Sequence, residues 1–387
     1  MAVTPEPIAS DRPEARRAIE ILTTDDFVAE LRDRLGGASD RIVLQLMTFD
    51  GDRAGLEVGD LLLAAVSRGV DVQLIVDSFA LRFVSDRPVT DPAVQEEYAA
   101  TRSMYEKLAV GGVDVRFTNA NGPGQIFSLA RNHKKVYIID DVAYLGGINV
   151  SDHNFEWHDF MLRIQDHDVC SILLTDLADT FSGRFTTIDR TLERSISGAD
   201  PSEITLVSND ALRVTFDRLI ANARRRIVVA SPYALDRRLL DVLGRSSATD
   251  QTVVIADHNN FKFLQAITPF LTASAHRAGI NLATYDRFSH SKFLLVDDDR
   301  LLVGSSNFGR HSLTCNQEIG LVIRDRAFIA EFESTFLAGL VPAEPAGSLG
   351  LRAFGWLATL GMEAYLAAYA KLIAPRVPLL AASPDGE

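Results

Sequence analysis

The sequence predicts an α/β protein built as two pseudo-symmetric α/β/α lobes with one site at their interface. Three observations lead there: an internal repeat of helix and strand patterns, strand and helix periods that alternate through both halves, and a polar motif that occurs once in each half at the same place in the repeat. At 387 residues the chain can form two ordinary cores, and 47% hydrophobic with 24% charged residues is the balance of a folded globular protein.

In the first half, a helical pattern over 26–35 leads into an apolar strand over 41–47. A helix over 61–67 follows, Gly69 stops it, and a second strand covers 70–76. The second half repeats the order with a helix over 211–223, a strand over 227–230, a helix over 235–243 and a strand over 252–256. Each half then reaches a glycine-led strand, 111–117 and 279–285, and after it the polar motif. Strands alternating with helices of this length predict a largely parallel sheet covered by helices.

The segment 195–203 is the most linker-like interior stretch, which divides the chain into a flexible N-terminus (1–18), a first lobe (19–197), a second lobe (198–341) and a C-terminal segment (342–387). That last segment opens with a Pro/Gly/Ala-rich stretch and continues as a mostly apolar run over 351–374, broken by Glu363 and flanked by Arg352, Lys371 and Arg376. About 18 weakly charged residues sit at the lower edge of what spans a bilayer. Three placements are open: a helix docked on the core, a helix lying in a membrane surface, or a span.

Composition narrows the function classes. A net charge of −13 argues against nonspecific nucleic-acid binding, and the basic run Arg224 to Arg226 reads as a solvated helix end. Residues 1–18 are polar and contain no apolar secretory stretch, so a cytoplasmic location is expected. The only cysteines, Cys170 and Cys315, support neither a disulfide framework nor a cysteine-rich metal site and are read as small buried residues.

The motif carries the chemistry. It reads His-x-Lys-x4-Asp at His133/Lys135/Asp140 and again at His290/Lys292/Asp297. Alternate side chains of a strand share a face, so each His and Lys point the same way. Each Asp has the opposite parity and is expected to anchor the strand end away from the reacting groups. Glycine-rich returns follow, Gly146-Gly147-Ile148-Asn149 and Gly304-Ser305-Ser306-Asn307, bringing Asn149 and Asn307 back beside the His/Lys face and letting backbone approach a phosphate. Asp159 and Glu318 come 26 and 28 residues after their histidines, and a carboxylate near each imidazole would fix its tautomer. His158 and His311 read as surface or supporting residues and Trp157 as packing beside Asp159. Apolar stretches at Phe79, Leu81, Phe83 and Val84 and at Phe261, Phe263, Phe270 and Leu271 read as core, with a lipid-facing rim as the alternative. No further His or Cys cluster has metal-ligand spacing, so no cofactor is expected.

On these residues the chain resembles the phospholipase D superfamily over about residues 20–340. Arg131-Asn132-His133-Lys134-Lys135, Gly146-Gly147-Ile148-Asn149, Trp157-His158-Asp159, Gly304-Ser305-Ser306-Asn307 and Asn316-Gln317-Glu318 look especially like the bacterial cardiolipin synthase, or phosphatidyltransferase, branch. The first motif is one residue shorter than the second between its Asp and its Gly-x-Asn piece, which reads as a tighter turn at Asp140-Asp141. The resemblance implies a phosphohistidine on His133, with His290 as general acid and then base, and Lys135, Lys292, Asn149 and Asn307 holding the phosphoryl oxygens without a metal. The opposite assignment of the two histidines stays open. So does the acceptor: an alcohol gives a transferase and water a phospholipase D, while a nuclease and a noncatalytic lipid-binding protein remain the other readings. The expected partners are a phospholipid, an alcohol or water acceptor, and a membrane surface contacted peripherally at its inner face; nucleic acid is not expected, and the oligomeric state is not legible.

Overall fold

The computed structural model describes residues 17–81, 91–119, 130–194, 196, 202–233, 235–256, 262–345 and 347–372. Residues 1–16 and 373–387, most of the 195–203 linker, and Phe83, Val84 and Phe261 lie outside them.

The first half contributes β1 (Ile19–Thr23), α1 (Thr24–Gly37), β2 (Arg41–Leu46), α2 (Arg53–Ser67), β3 (Asp71–Asp77), α3 (Pro92–Val110), β4 (Asp114–Thr118), β5 (Val136–Ile139), β6 (Val142–Gly146), α4 (Asp152–Glu156), β7 (Phe160–Ile164) and α5 (His167–Phe181). The second contributes β8 (Asp189–Arg194), β9 (Ser202–Ser208), α6 (Asn209–Asn222), β10 (Arg226–Ala230), α7 (Arg237–Leu243), β11 (Asp250–Val254), α8 (Lys262–Arg277), β12 (Asn281–Thr284), β13 (Phe293–Val296), β14 (Arg300–Gly304), α9 (Arg310–Cys315), β15 (Ile319–Arg324), α10 (Arg326–Phe332), β16 (Val341–Pro342) and α11 (Leu349–Leu372).

Two sheets result, in the orders β1-β7-β6-β5-β2-β3-β4 and β16-β12-β11-β10-β13-β14-β15-β9-β8. Seven strands of the second sheet repeat the first in the same order, which is the duplication read from the sequence. Both sheets are mixed, however, and not largely parallel. Only β2-β3-β4 and β10-β11-β12 run parallel; β5, β6, β7 and β1, and their counterparts, pair antiparallel. The cause is connection length. Parallel neighbours need a helical crossover, whereas β5 and β6 are joined only by Asp140 and Asp141, and so short a link permits only a hairpin. In the second half the link has three residues, 297–299, which accounts for the one-residue difference between the motifs.

The polar strand β8 pairs with β9 in the second sheet, so sheet membership changes before Asp189, ahead of the composition-based division at 197/198. Its exposed Asp-Arg-Thr-Leu-Glu-Arg sequence carries no apolar alternation to announce it.

Each lobe has an outer core, under α1–α3 in the first and under α6–α8 in the second, and the lobes share a third. The shared core packs the inner sheet faces with Leu173 and Leu177 of α5 and Phe328, Ile329 and Phe332 of α10, and it contains Cys170. Both cysteines are buried and free. The apolar C-terminal run forms α11, which packs on α8 and buries Leu366 and Tyr369. Among the described residues, no helix is long and apolar enough to cross a membrane.

Candidate active site

Each His-x-Lys segment runs extended into the first residue of a central strand, β5 or β13, and each crosses to the other lobe before entering it. In the first lobe the His133 amide donates to the Gln317 carbonyl (2.9 Å) and the Gln317 amide to the Arg131 carbonyl (2.8 Å), beside a parallel bridge between Asn132 and Gln317. In the second, the His290 amide donates to the His158 carbonyl (2.9 Å) and the His158 amide to the Phe288 carbonyl (3.2 Å). Every one of these bonds joins a histidine-bearing segment to the acid-bearing segment of the opposite lobe.

The acids are therefore exchanged. His133 Nδ1 lies 3.0 Å from the Glu318 carboxylate, and His290 Nδ1 lies 2.9 Å from Asp159 Oδ2. An ionised carboxylate only accepts, so Nδ1 of His133 carries the proton and its Nε2 is left as the basic nitrogen; in His290 an ionised Asp159 favours the same tautomer. The alternation read from the sequence is visible between the motif residues. Lys135 donates to the His133 carbonyl (2.8 Å) on the site side, while Lys134 points to the reverse side and holds both oxygens of Asp176 on α5 at 2.7 and 2.8 Å. Lys292 likewise donates to the His290 carbonyl, but its Nζ also lies 2.8 Å from His290 Nδ1 and 3.7 Å from Asp159. Both histidines, Lys135, Lys292, Asp159 and Glu318 are all buried.

Asn149 and Asn307 sit at the ends of β2 and β10. Asn149 Oδ1 accepts from the Met47 and Thr48 amides (3.2 and 3.3 Å), and Asn307 Oδ1 accepts from Ser231 Oγ (3.3 Å). With the oxygens so engaged, the NH2 groups are the ends that can meet an anion. Asp140 and Asp297 stand apart from these groups. Asp140 accepts from the Ser39, Asp40 and Arg41 amides and Asp297 from the Arg224, Arg225 and Arg226 amides, pinning the β5 and β13 ends to β2 and β10. Burial acts to raise both carboxyls, but the three backbone donors outweigh it and hold them below the usual range. The run Arg224 to Arg226 thus gives its backbone to the anchor.

Several residues here carry no motif signal. Ser305 and Ser312 both donate to Glu318, whereas the position matching Ser305 in the first lobe is Gly147, against which Asp159 packs directly. Trp157 lies against the His290 ring, centroids 4.9 Å apart, so it packs on the imidazole as well as beside Asp159. His158 supports the lobe crossing, with its Nδ1 3.2 Å from Ser289 Oγ and its ring on Tyr285; His311 lies on α9. Buried Asp77 accepts from the Asn132 amide (2.7 Å) and pairs with Arg131, fixing the approach to His133. Asp50, Asp52 and His153 also bring donor atoms together, a grouping that spacing did not reveal; Asp52 caps α2 through Gly55 and accepts from the Asp152 amide.

The electrostatics are asymmetric. Burial lowers His133 to about 4, Glu318 pulling the other way, and holds His290 well below its ordinary value, aided by Lys292 and Lys135. Both rings are neutral at neutral pH. Burial also lowers Lys135 to about 7 and Lys292 to about 8, with Glu318 and Asp159 opposing it respectively. Burial raises Asp159 to about 6, only partly offset by Lys292. Glu318 feels the same burial, yet His133, Lys135 and Ser305 outweigh it and keep the group below its ordinary value. One dyad has a firmly ionised acid and the other an acid near its midpoint. Two neutral imidazoles and two poorly solvated ammoniums can hold an anion between a nucleophilic nitrogen on one side and a proton carrier on the other.

The model of the family described as "Cardiolipin synthase, PLD-like domain" matches residues 31–181 and 216–339, most of the chain and both motifs. This chain belongs to that family. Among its curated relatives, the major cardiolipin synthase of Bacillus subtilis (strain 168) is 26% identical over 355 residues, covering 84% of this chain and 69% of that protein. Cardiolipin synthase 2 of Staphylococcus epidermidis is 24% identical over 339 residues, covering 81% and 65%. The chain thus spans about two-thirds of the length of these relatives. Among solved structures, a phosphatidylserine synthase of Haemophilus influenzae shares the fold over 94% of this chain and 95% of its own (TM-score 0.68, 15% identity). A polyphosphate kinase of Porphyromonas gingivalis does so over 95% of this chain and 60% of its own (TM-score 0.54, 12% identity).

Proposed function

We propose that the chain is a phosphatidyltransferase that moves a phosphatidyl group from a phospholipid donor to an alcohol acceptor. The observation that carries this reading is the pair of exchanged dyads, His133 with Glu318 and His290 with Asp159, each beside a buried lysine. Its family membership and the cardiolipin synthases it resembles support a lipid phosphodiester as substrate.

In this reading the anionic phosphodiester enters between the two imidazoles, counters the burial and lysine charges that depress them, and His290 takes up a proton at Nε2. His133 Nε2 attacks phosphorus, the bond to the head-group oxygen breaks, and His290 delivers its proton to that oxygen. An acceptor alcohol then loses its proton to His290 as it attacks the phosphohistidine, and His133 is released. Lys135, Lys292, Asn149 and Asn307 hold the non-bridging oxygens. Glu318 and Asp159 position the rings. The firmly anionic Glu318 behind His133 favours it as the ring that carries the covalent, positively charged intermediate, and the tunable Asp159 suits the ring that exchanges protons. Water in place of the alcohol gives phospholipase D hydrolysis by the same residues. A lipid substrate implies peripheral contact with the inner membrane face.

The test is to incubate the purified protein with phosphatidylglycerol vesicles and added ethanol, in chelator, and to follow the phosphatidylethanol formed. Phosphatidyl transfer that His133→Ala and His290→Ala abolish is the expected result; release of phosphatidic acid alone favours hydrolysis. Cleavage of labelled single-stranded DNA with no action on lipid overturns the reading.

A further inference from the structure

We infer that the exposed face of α11 and an arginine-lined cleft beside it form one docking surface for an anionic lipid bilayer. The inference rests on the lipid reading above and says where, and with which residues, the molecule meets its substrate's phase.

A helix docked on a protein normally turns its charges to water. Here the reverse holds. Thr359, Leu366 and Tyr369 face the protein, while Leu351, Phe354, Trp356, Leu357 and Tyr365 are exposed, Leu357 by 61%. The remaining exposed positions between 351 and 368, Ala353, Leu360, Gly361, Ala364 and Ala368, are uncharged too. Beside this face lies a cleft of about 500 Å³ lined by Arg213, Arg237, Arg238, Arg245 and Arg310 and by the acids Asp241 and Glu363. Asp210 pairs with Arg213, Asp217 with Arg238 and Glu363 with Arg310, while Arg237 and Arg245 stand exposed.

The cleft and the apolar face meet. Glu363 of α11 lines the cleft, and it follows Leu360 by three residues and Trp356 by seven, which puts all three on one flank of the helix. An apolar helix face with Trp and Tyr, bordered by guanidinium groups, matches the acyl and phosphate layers of an anionic membrane surface. A second copy of the chain fits less well, because a two-fold interface would set the same arginines against one another. The surface is also tied to the site: Tyr369 Oη accepts from the Ala130 amide at 3.0 Å, three residues before His133.

Trp157 and Trp356 are the only tryptophans, so Trp157→Phe leaves Trp356 as the single emitter with the surface intact. Vesicles of equal parts phosphatidylcholine and phosphatidylglycerol should shift its emission to the blue and brominated acyl chains should quench it, with weaker effects on phosphatidylcholine alone. Phe354→Ser with Leu357→Ser should reduce vesicle co-sedimentation by at least about tenfold. Arg237→Glu with Arg245→Glu should abolish the phosphatidylglycerol preference. Trp356 emission unchanged by vesicles overturns the inference, as does co-sedimentation indifferent to the serine pair. A dimer by light scattering that the serine pair converts to monomer, with vesicle binding intact, assigns the face to self-association instead. Binding is read without turnover, so a chain that docks on vesicles but transfers no phosphatidyl group sinks the proposed activity and not this surface.

Discussion

His133 and Glu318 stand 185 residues apart in sequence and on different lobes, yet their side chains meet at 3.0 Å in a buried site. Glu318→Gln removes the anion that holds Nδ1–H and supports positive charge on the ring. The expected result is a fall in kcat of about 10²- to 10⁴-fold. Because the two residues act as a unit, adding His133→Ala should cost no more than His133→Ala alone. Steady-state transfer rates decide this, and a Glu318→Gln variant with a tenth or more of the original rate refutes it.

Gly147 is where the first lobe has no room. A Cβ there would lie 2.5 Å from Asp159 Oδ2 and 3.0 Å from Lys292 Nζ, so Gly147→Ala must push the carboxylate off His290. A displacement of this order in a positioned acid is expected to cost about 10²-fold in kcat. Ser305→Ala should cost less, since Glu318 keeps Ser312 as a donor. Comparable losses for the two variants would reject the argument.

The pH profile of kcat/KM should be bell-shaped. Asp159 sits at about 6, so as pH falls through that value it gains a proton and His290 loses its anionic partner. Lys135 at about 7 and Lys292 at about 8 lose their protons as pH rises, and with them the charge that neutralises the phosphoryl group. The maximum is therefore expected between about pH 6 and pH 7, with Asp159→Asn lacking the acid limb. A profile with no acid limb in the unmodified protein contradicts the assignment.

Lys134 and Asp176 form an ion pair that is almost wholly out of water. Lys134→Met strands the Asp176 charge in the shared core and should destabilise the fold by about 3–5 kcal/mol. Replacing both, Lys134→Met with Asp176→Leu, should recover most of that loss. Denaturant unfolding separates the cases; a double variant as unstable as the single one shows that the pair is needed for more than mutual neutralisation.

The duplication and the motif residues were legible because they depend on local period and spacing. Parity alone separated Asp140 and Asp297 from the histidines. What spacing could not reveal is which acid serves which histidine, since 26 and 28 residues along the chain are the same distance whether the acid folds back or crosses over. The mixed sheet was legible in principle: Asp140-Asp141 is too short for a crossover, although helix-strand alternation on its own points to a parallel sheet. The start of α2 at Arg53 was hidden because its cap, Asp52, precedes two turns in which Gly55 and Gly59 dilute the apolar stripe. The face of α11 needed the fold, because a run of apolar residues does not say which of them a neighbouring helix covers.

The exchanged acids also bear on inheritance. In a protein whose lobes each oriented their own histidine, swapping one lobe for that of a divergent relative would leave one native dyad and one foreign one. Here the same swap makes both dyads hybrids at once, pairing a resident imidazole with an imported carboxylate and the reverse. Recombination at the lobe boundary thus puts the whole site at risk in one step, and the two halves of the gene are bound to drift as partners.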